Sequence, residues 1–124
     1  MGYIANTKWY KKDFNTKWLF RNNFRYSKIY SDADSDAYVY AFPIYTYKLA
    51  PLYECLFILY EDNGEVIVKV QDKNKNPYPQ FYYDSQGNHN KVLNKMEDII
   101  LKELKRLEIE PIISTRTKVG SEDE

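Results

Sequence analysis

A chain of 124 residues is the size of one domain, able to bury roughly two-thirds of the surface its unfolded form exposes. Its 18 basic and 18 acidic side chains cancel, so no global field draws it to nucleic acid or an anionic membrane, and one cysteine excludes an internal disulfide framework. No run of about 18 apolar residues suits a membrane helix and the first residues lack an apolar signal core, so the expectation is a cytoplasmic protein.

Aromatic side chains make up 17% of the chain, 13 of them tyrosine. Tyrosine combines a large apolar face with a hydroxyl that needs a partner when buried, so it accumulates on sheets, at subunit interfaces and around stacked ligands. Residues 8–28 carry Lys8, Lys11, Lys12, Lys17, Arg21, Arg25 and Lys28 against Asp13 alone, interleaved with Trp9, Tyr10, Phe14, Trp18, Phe20, Phe24 and Tyr26. Two readings stand: a groove that tracks a phosphate backbone and stacks bases, or an amphipathic element with its rings in the core and its cations in water. The tetrapeptide Asn6-Thr7-Lys8-Trp9 recurs as Asn15-Thr16-Lys17-Trp18, but two copies at a period of nine make no solenoid.

Asp32, Asp34 and Asp36 mark an acidic turn. They resemble the opening of a calcium loop, but the sixth and twelfth positions hold Ala37 and Pro43 where such a loop needs Gly and Glu. Residues 37–49 read as a strand with Tyr38, Tyr40, Phe42 and Ile44 on one face and Val39, Ala41 and Tyr45 on the other. Pro43 lacks the N–H a ladder requires, which predicts an edge or a bulge there. Residues 53–70 form a hairpin, its Asn63-Gly64 pair suited to a type I′ turn and its second strand alternating Val66, Val68 and Val70 with Glu65 and Lys69.

A polar loop over 72–77 precedes a short aromatic strand at 79–83. A helix follows Asn90 as N-cap, with Val92, Leu93, Met96, Ile99, Ile100, Leu104 and Leu107 on one stripe, and stops before Pro111; residues 112–117 are a candidate last strand. The fold class is α+β: an antiparallel sheet of four to six strands packed by one long C-terminal helix, in a single domain over 1–119 with a flexible acidic tail at 120–124.

Catalytic chemistry is hard to assemble from this composition. His89 and Cys55 are the only histidine and cysteine, so one protomer cannot build a zinc site from those ligands, and four glycines form no phosphate-cradling loop. The expectation is recognition without catalysis, metal or cofactor. Phe81 and Tyr83 offer stacking faces, Asn88 and Asn90 offer amides, and Lys102, Arg106 and Arg116 offer cations for the phosphates of a nucleotide-like ligand. The same rings could instead pack under the helix while the asparagines cap and turn.

A Tyr-, Lys- and Asn-rich chain whose sheet precedes a helix containing Leu101-Lys102-Glu103-Leu104-Lys105-Arg106-Leu107 resembles small proteins encoded by phages and prophages of low-GC Gram-positive bacteria. Within that set, Phe81-Tyr82-Tyr83, Gly87-Asn88-His89-Asn90 and the helix look most like the first Thoeris anti-defence family, over roughly residues 53–117. That resemblance implies a non-enzymatic homo-oligomer that sequesters a cyclic ADP-ribose type immune signal. An aromatic near Phe81 would stack on the ligand, an Asn near Asn90 would hydrogen-bond to it, and late basic residues would hold its phosphates between protomers. Two alternatives stand beside it: an inhibitor of a host defence enzyme or nuclease acting through the acidic turn or the acidic tail, and a nucleic-acid binder acting through residues 8–28.

Overall fold

The computed structural model of the protein describes residues 7–77 and 91–112, with the backbone alone at 91–93. Its elements in chain order are β1 (Trp9–Lys11), α1 (Thr16–Arg21), β2 (Arg25–Ser27), β3 (Ala37–Tyr47), β4 (Ala50–Tyr60), β5 (Glu65–Asp72), α2 (Lys91–Arg106) and β6 (Ile109–Pro111). The strands make one six-stranded sheet in the order β2-β3-β4-β5-β1-β6, antiparallel at every step. This is an α+β architecture, and the helix α2 is followed by a further strand.

One face of the sheet carries the main core. Alternation places Phe42 on β3, Cys55, Phe57 and Leu59 on β4, and Val66, Val68 and Val70 on β5 toward it, and all seven are buried. Trp9 and Ile109 extend that face onto β1 and β6, while Leu19 of α1 and Met96, Ile100 and Leu104 of α2 close it. Of the predicted helical stripe, Leu107 is also buried and Ile99 is 38% exposed. The opposite face holds a smaller cluster, Ala37, Leu56 and Ile58, covered by Tyr30, Val39 and Tyr60.

One local expectation holds and two change. Pro43 does mark an irregularity: the β3–β4 register shifts between Pro43 and Tyr45, and β2 pairs with β3 only through Ala37, Tyr38 and Val39, which leaves the outer edge of β3 open from Tyr40 onward among the described residues. The shift carries Tyr45 to the inner face, where its ring centroid lies 6.1 Å from that of Tyr53, instead of the outer face that plain alternation predicted. The turn after β4 is not the predicted type I′ pair. Only Gly64 has positive φ, +77°, and its N–H donates to the Tyr60 carbonyl at 2.8 Å across a four-residue turn. Positive φ at both central residues, as type I′ requires, occurs instead at Lys48 (50°) and Leu49 (69°), between the paired Tyr47 and Ala50.

Residues 8–28 become β1, α1 and β2 rather than one uniform element. The predicted strand at 79–83 and the N-cap Asn90 lie outside the described residues. An unpredicted strand, β6, lies at Ile109–Pro111, where the chain reverses at Glu108 (φ 57°) directly after α2 and pairs with β1; of the predicted strand at 112–117, residues 113–117 lie outside the described residues.

Candidate functional site

The most site-like feature among the described residues is a buried ammonium. In β1 the alternation that buries Trp9 also turns Lys11 inward, to a side-chain exposure of 5%. The backbone there is fixed from two sides. Lys11 pairs with Ile109 of β6, and its N–H donates to the Gly64 carbonyl at 2.8 Å. A Cβ on Gly64 would stand 2.5 Å from the Lys11 carbonyl oxygen, so the glycine is needed both for its φ and for this approach.

Trp18 supplies the wall. Asn15 caps α1 by accepting from the Trp18 N–H at 2.8 Å, which orients the first turn so that Leu19 enters the core and Trp18 lies at its margin, 5.6 Å from Phe24 between ring centroids. The Lys11 Nζ sits 4.6 Å from the Trp18 centroid, in cation–π range. Its nearest carboxylate oxygen, Glu108 Oε1, is 3.9 Å away on a side chain that is 84% exposed. That distance is too long for a hydrogen bond and a pair with such an exposed partner contributes little, so among the described residues no acceptor meets the three Nζ donors. The cleft around this group encloses about 500 Å³, with Lys12, Asp13, Trp18, Glu108 and Glu110 on its walls. A volume of that order suits a small ligand.

A second cation and ring pair faces solvent. The Arg25 guanidinium lies 5.2 Å from the Phe20 centroid while its Nη1 donates to the carbonyls of Phe24 at 3.0 Å and Phe20 at 3.3 Å, at the end of α1. Phe20 is 59% exposed, and Tyr26 on β2 is 56% exposed.

Acidic groups converge at one end of the sheet. Asp32 Oδ1 accepts from the N–H groups of Asp34 and Ser35, both at 2.9 Å, and this loop is held to the β4–β5 turn by Glu61 N–H donating to the Asp36 carbonyl and Asp62 N–H to Ser35 Oγ. Burial first, then the fields of Glu61 and Asp36, push the Tyr38 hydroxyl above its ordinary pKa; for Tyr60 the causes are burial, then Asp32 and Glu65.

Of the residues predicted for a ligand site, Phe81, Tyr83, Asn88, Asn90 and Arg116 lie outside the described residues. Lys102 is exposed on α2. Arg106, at the end of α2, is engaged: its Nε and Nη2 donate to the two oxygens of Glu103 at 2.7 and 2.9 Å, and Glu103 Oε2 accepts from the Tyr40 hydroxyl at 2.6 Å. The Arg106 hydrogen bonds hold the Glu103 carboxyl below its ordinary pKa against the opposing effect of burial, while burial and then the bond to Glu103 raise Tyr40. The trio ties helix to sheet. Cys55 is buried and its thiol is pushed far up by desolvation, as its place in an apolar strand predicts.

The sequence named Lys11 only as one of the seven cations of residues 8–28, open to a phosphate groove or to solvent, and did not single it out as buried. The signal was its spacing: two residues after Trp9 in a strand, it shares that ring's face. Compared with protein-family models, curated proteins and solved structures, the chain shows no match. The functional reading therefore rests on geometry.

Proposed function

We propose that the protein is a non-catalytic binding protein that sequesters a small anionic, ring-bearing signal of nucleotide type, a cyclic ADP-ribose isomer among the candidates, in the cleft of Lys11 and Trp18. The observation that carries this reading is the buried Lys11 ammonium with an indole beside it and no hydrogen-bond acceptor among the described residues. A buried charge gains most from a partner that completes its hydrogen bonds, and a phosphate oxygen does so while a base or ribose rests against Trp18. Lys12 adds a second cation at the wall. Glu108, Glu110 and Asp13 set a limit on the net negative charge the cleft accepts, which favours a ligand whose phosphates are bridged or few. In the resembled family the site forms between protomers, so the reading includes assembly of the chain with itself.

Calorimetric titration with linear and cyclic ADP-ribose isomers and cyclic dinucleotides tests the proposal. The expected result is one saturable site per protomer, ligand recovered unchanged after heat denaturation, and at least a tenfold loss of affinity in Lys11→Met. Binding that survives Lys11→Met but is lost in Phe81→Ala or Asn90→Ala would move the site to 81–90; no heat with any nucleotide would end the small-ligand reading. The acidic end made by Asp32, Asp34, Asp36, Glu61 and Asp62 supports a second reading, inhibition of a host nuclease or other defence enzyme with a basic substrate channel. Reversing the three aspartates should abolish such inhibition, and unchanged inhibition would discard it.

A further inference from the structure

The segment between the two aspartates Asp13 and Asp32 has a property that the neutral whole conceals. Residues 14–31 carry four cations, Lys17, Arg21, Arg25 and Lys28, and no acid. All four are exposed, and none forms a salt bridge with a described residue. The fold draws Leu19 and Phe24 out of the same stretch into the core, at 1% exposure each, but leaves Phe20 and Tyr26 facing water. Exposed apolar side chains occur elsewhere on the chain, Ile29, Tyr47 and Leu49 among them; what sets Phe20 and Tyr26 apart is that they are aromatic rings within a stretch that carries four cations and no acid.

Each ring is held for stacking. The Arg25 guanidinium lies over the Phe20 ring and is itself anchored on two backbone carbonyls, while the Phe20 residue stays 59% exposed. Tyr26 is braced edge-on by Tyr38, with ring centroids 6.0 Å apart at 76°. β2 is the three-residue edge strand of the sheet, and no described strand lies beyond it. Rings for bases and flanking cations for phosphates are the elements of a sequence-tolerant single-strand site. A duplex hides its base faces within the stack and has no use for open rings. We infer that the α1–β2 edge binds single-stranded nucleic acid, with bases stacked on Phe20 and Tyr26 and phosphates against Lys17, Arg21 and Lys28. The acidic end of the sheet repels a phosphate backbone and so confines the strand to this edge.

The site is separate from the Lys11 cleft: Trp18 and Phe20 leave α1 on different sides of the inward-pointing Leu19, and Lys11 belongs to β1. The test is fluorescence anisotropy of labelled oligothymidylate, oligouridylate and a mixed-sequence duplex titrated with the full chain between 50 and 300 mM salt. Binding to a single strand with a log–log salt slope of about −2, as three phosphate contacts predict, is the expected result. Phe20→Ala with Tyr26→Ala should weaken it at least tenfold, and Arg21→Glu should weaken it and flatten the slope, with melting curves close to the parent's. The DNA and RNA arms show whether the 2′-hydroxyl contributes. The inference is overturned by salt-insensitive or absent binding, by equal affinity for the duplex, by retained affinity in the ring variants, or by binding to anionic vesicles without binding to oligonucleotides. Lys11→Met should leave oligonucleotide binding at the parent's level, which separates this result from any failure of the cleft.

Discussion

The two cation and ring pairs of the N-terminal segment have similar geometry and opposite surroundings. Lys11 lies 4.6 Å from Trp18 with its side chain almost wholly buried, whereas Arg25 lies 5.2 Å from Phe20 in the open. Arg25 satisfies part of its guanidinium on the carbonyl of Phe20, in the last turn of α1, and on that of Phe24 just beyond the helix, which places a cation where the helix dipole favours one. Lys11 has no such acceptor among the described residues. The same pair of groups therefore presents a ring outward in one place and a cation inward in the other, and burial decides which half is available to a ligand.

The largest effect expected from breaking this contrast comes from Gly64, whose carbonyl holds Lys11 in place. Gly64→Val combines positive φ with a 2.5 Å clash against β1 and should cost roughly 3 kcal/mol or more of stability by denaturant titration, with loss of cleft binding. Trp18→Ala removes a half-buried ring stacked on Phe24 and should cost about 2 kcal/mol, against roughly 0.5 kcal/mol or less for Phe20→Ala; equal costs would erase the distinction between the pairs. Lys11→Met exchanges a buried charge for an apolar chain of similar length and leaves Glu108 in water, so stability should shift by about 1 kcal/mol or less while ligand affinity falls. Leu49→Gly, at a 96% exposed position with φ 69°, should stabilise by about 1 kcal/mol and leave both pairs untouched.

A pH prediction concerns the tie between α2 and β3. Glu103 has its folded pKa lowered from 4.5, so the stability it contributes is present above 4.5 and lost as pH falls through the lowered value. Acid titration of the melting temperature should show that loss in the parent and a flatter limb in Glu103→Gln. The parent's limb surviving unchanged in the variant would assign acid sensitivity elsewhere.

The parts of the fold legible in the sequence are those where one period runs long enough to identify a face. Val66, Val68 and Val70 on β5 and Met96, Ile100 and Leu104 on α2 are buried as their spacing predicted. The N-terminal segment was not legible, because its elements are three to six residues long and tertiary pairing sets their form. Of the first copy of the repeated tetrapeptide the described part, Thr7-Lys8-Trp9, leads into β1 with Trp9 buried, while Asn15-Thr16-Lys17-Trp18 caps and begins α1. The shared Thr-Lys-Trp adopts two structures because β5 and β6 bracket Trp9 of the first copy and the core under Leu19 receives the second. Turn chemistry misled for a similar reason: Asn63-Gly64 has the composition of a type I′ turn, yet the longer loop needed to bring Gly64 against Lys11 prevails, and the long ladder between β3 and β4 imposes positive φ on Lys48 and Leu49. Among the site residues, Lys11 became visible only once β1 was placed, while the exposed cations of 14–31 were readable from charge alone.

The most direct measurement is a cross-titration of two ligands against two variants. Parent protein, Lys11→Met, and Phe20→Ala with Tyr26→Ala are each titrated with a cyclic ADP-ribose isomer by calorimetry and with a labelled single strand by anisotropy. The two-pair account predicts that Lys11→Met loses the nucleotide and keeps the strand, and that the ring variant does the reverse. Loss of both ligands in either folded variant, or of neither in both, would contradict it.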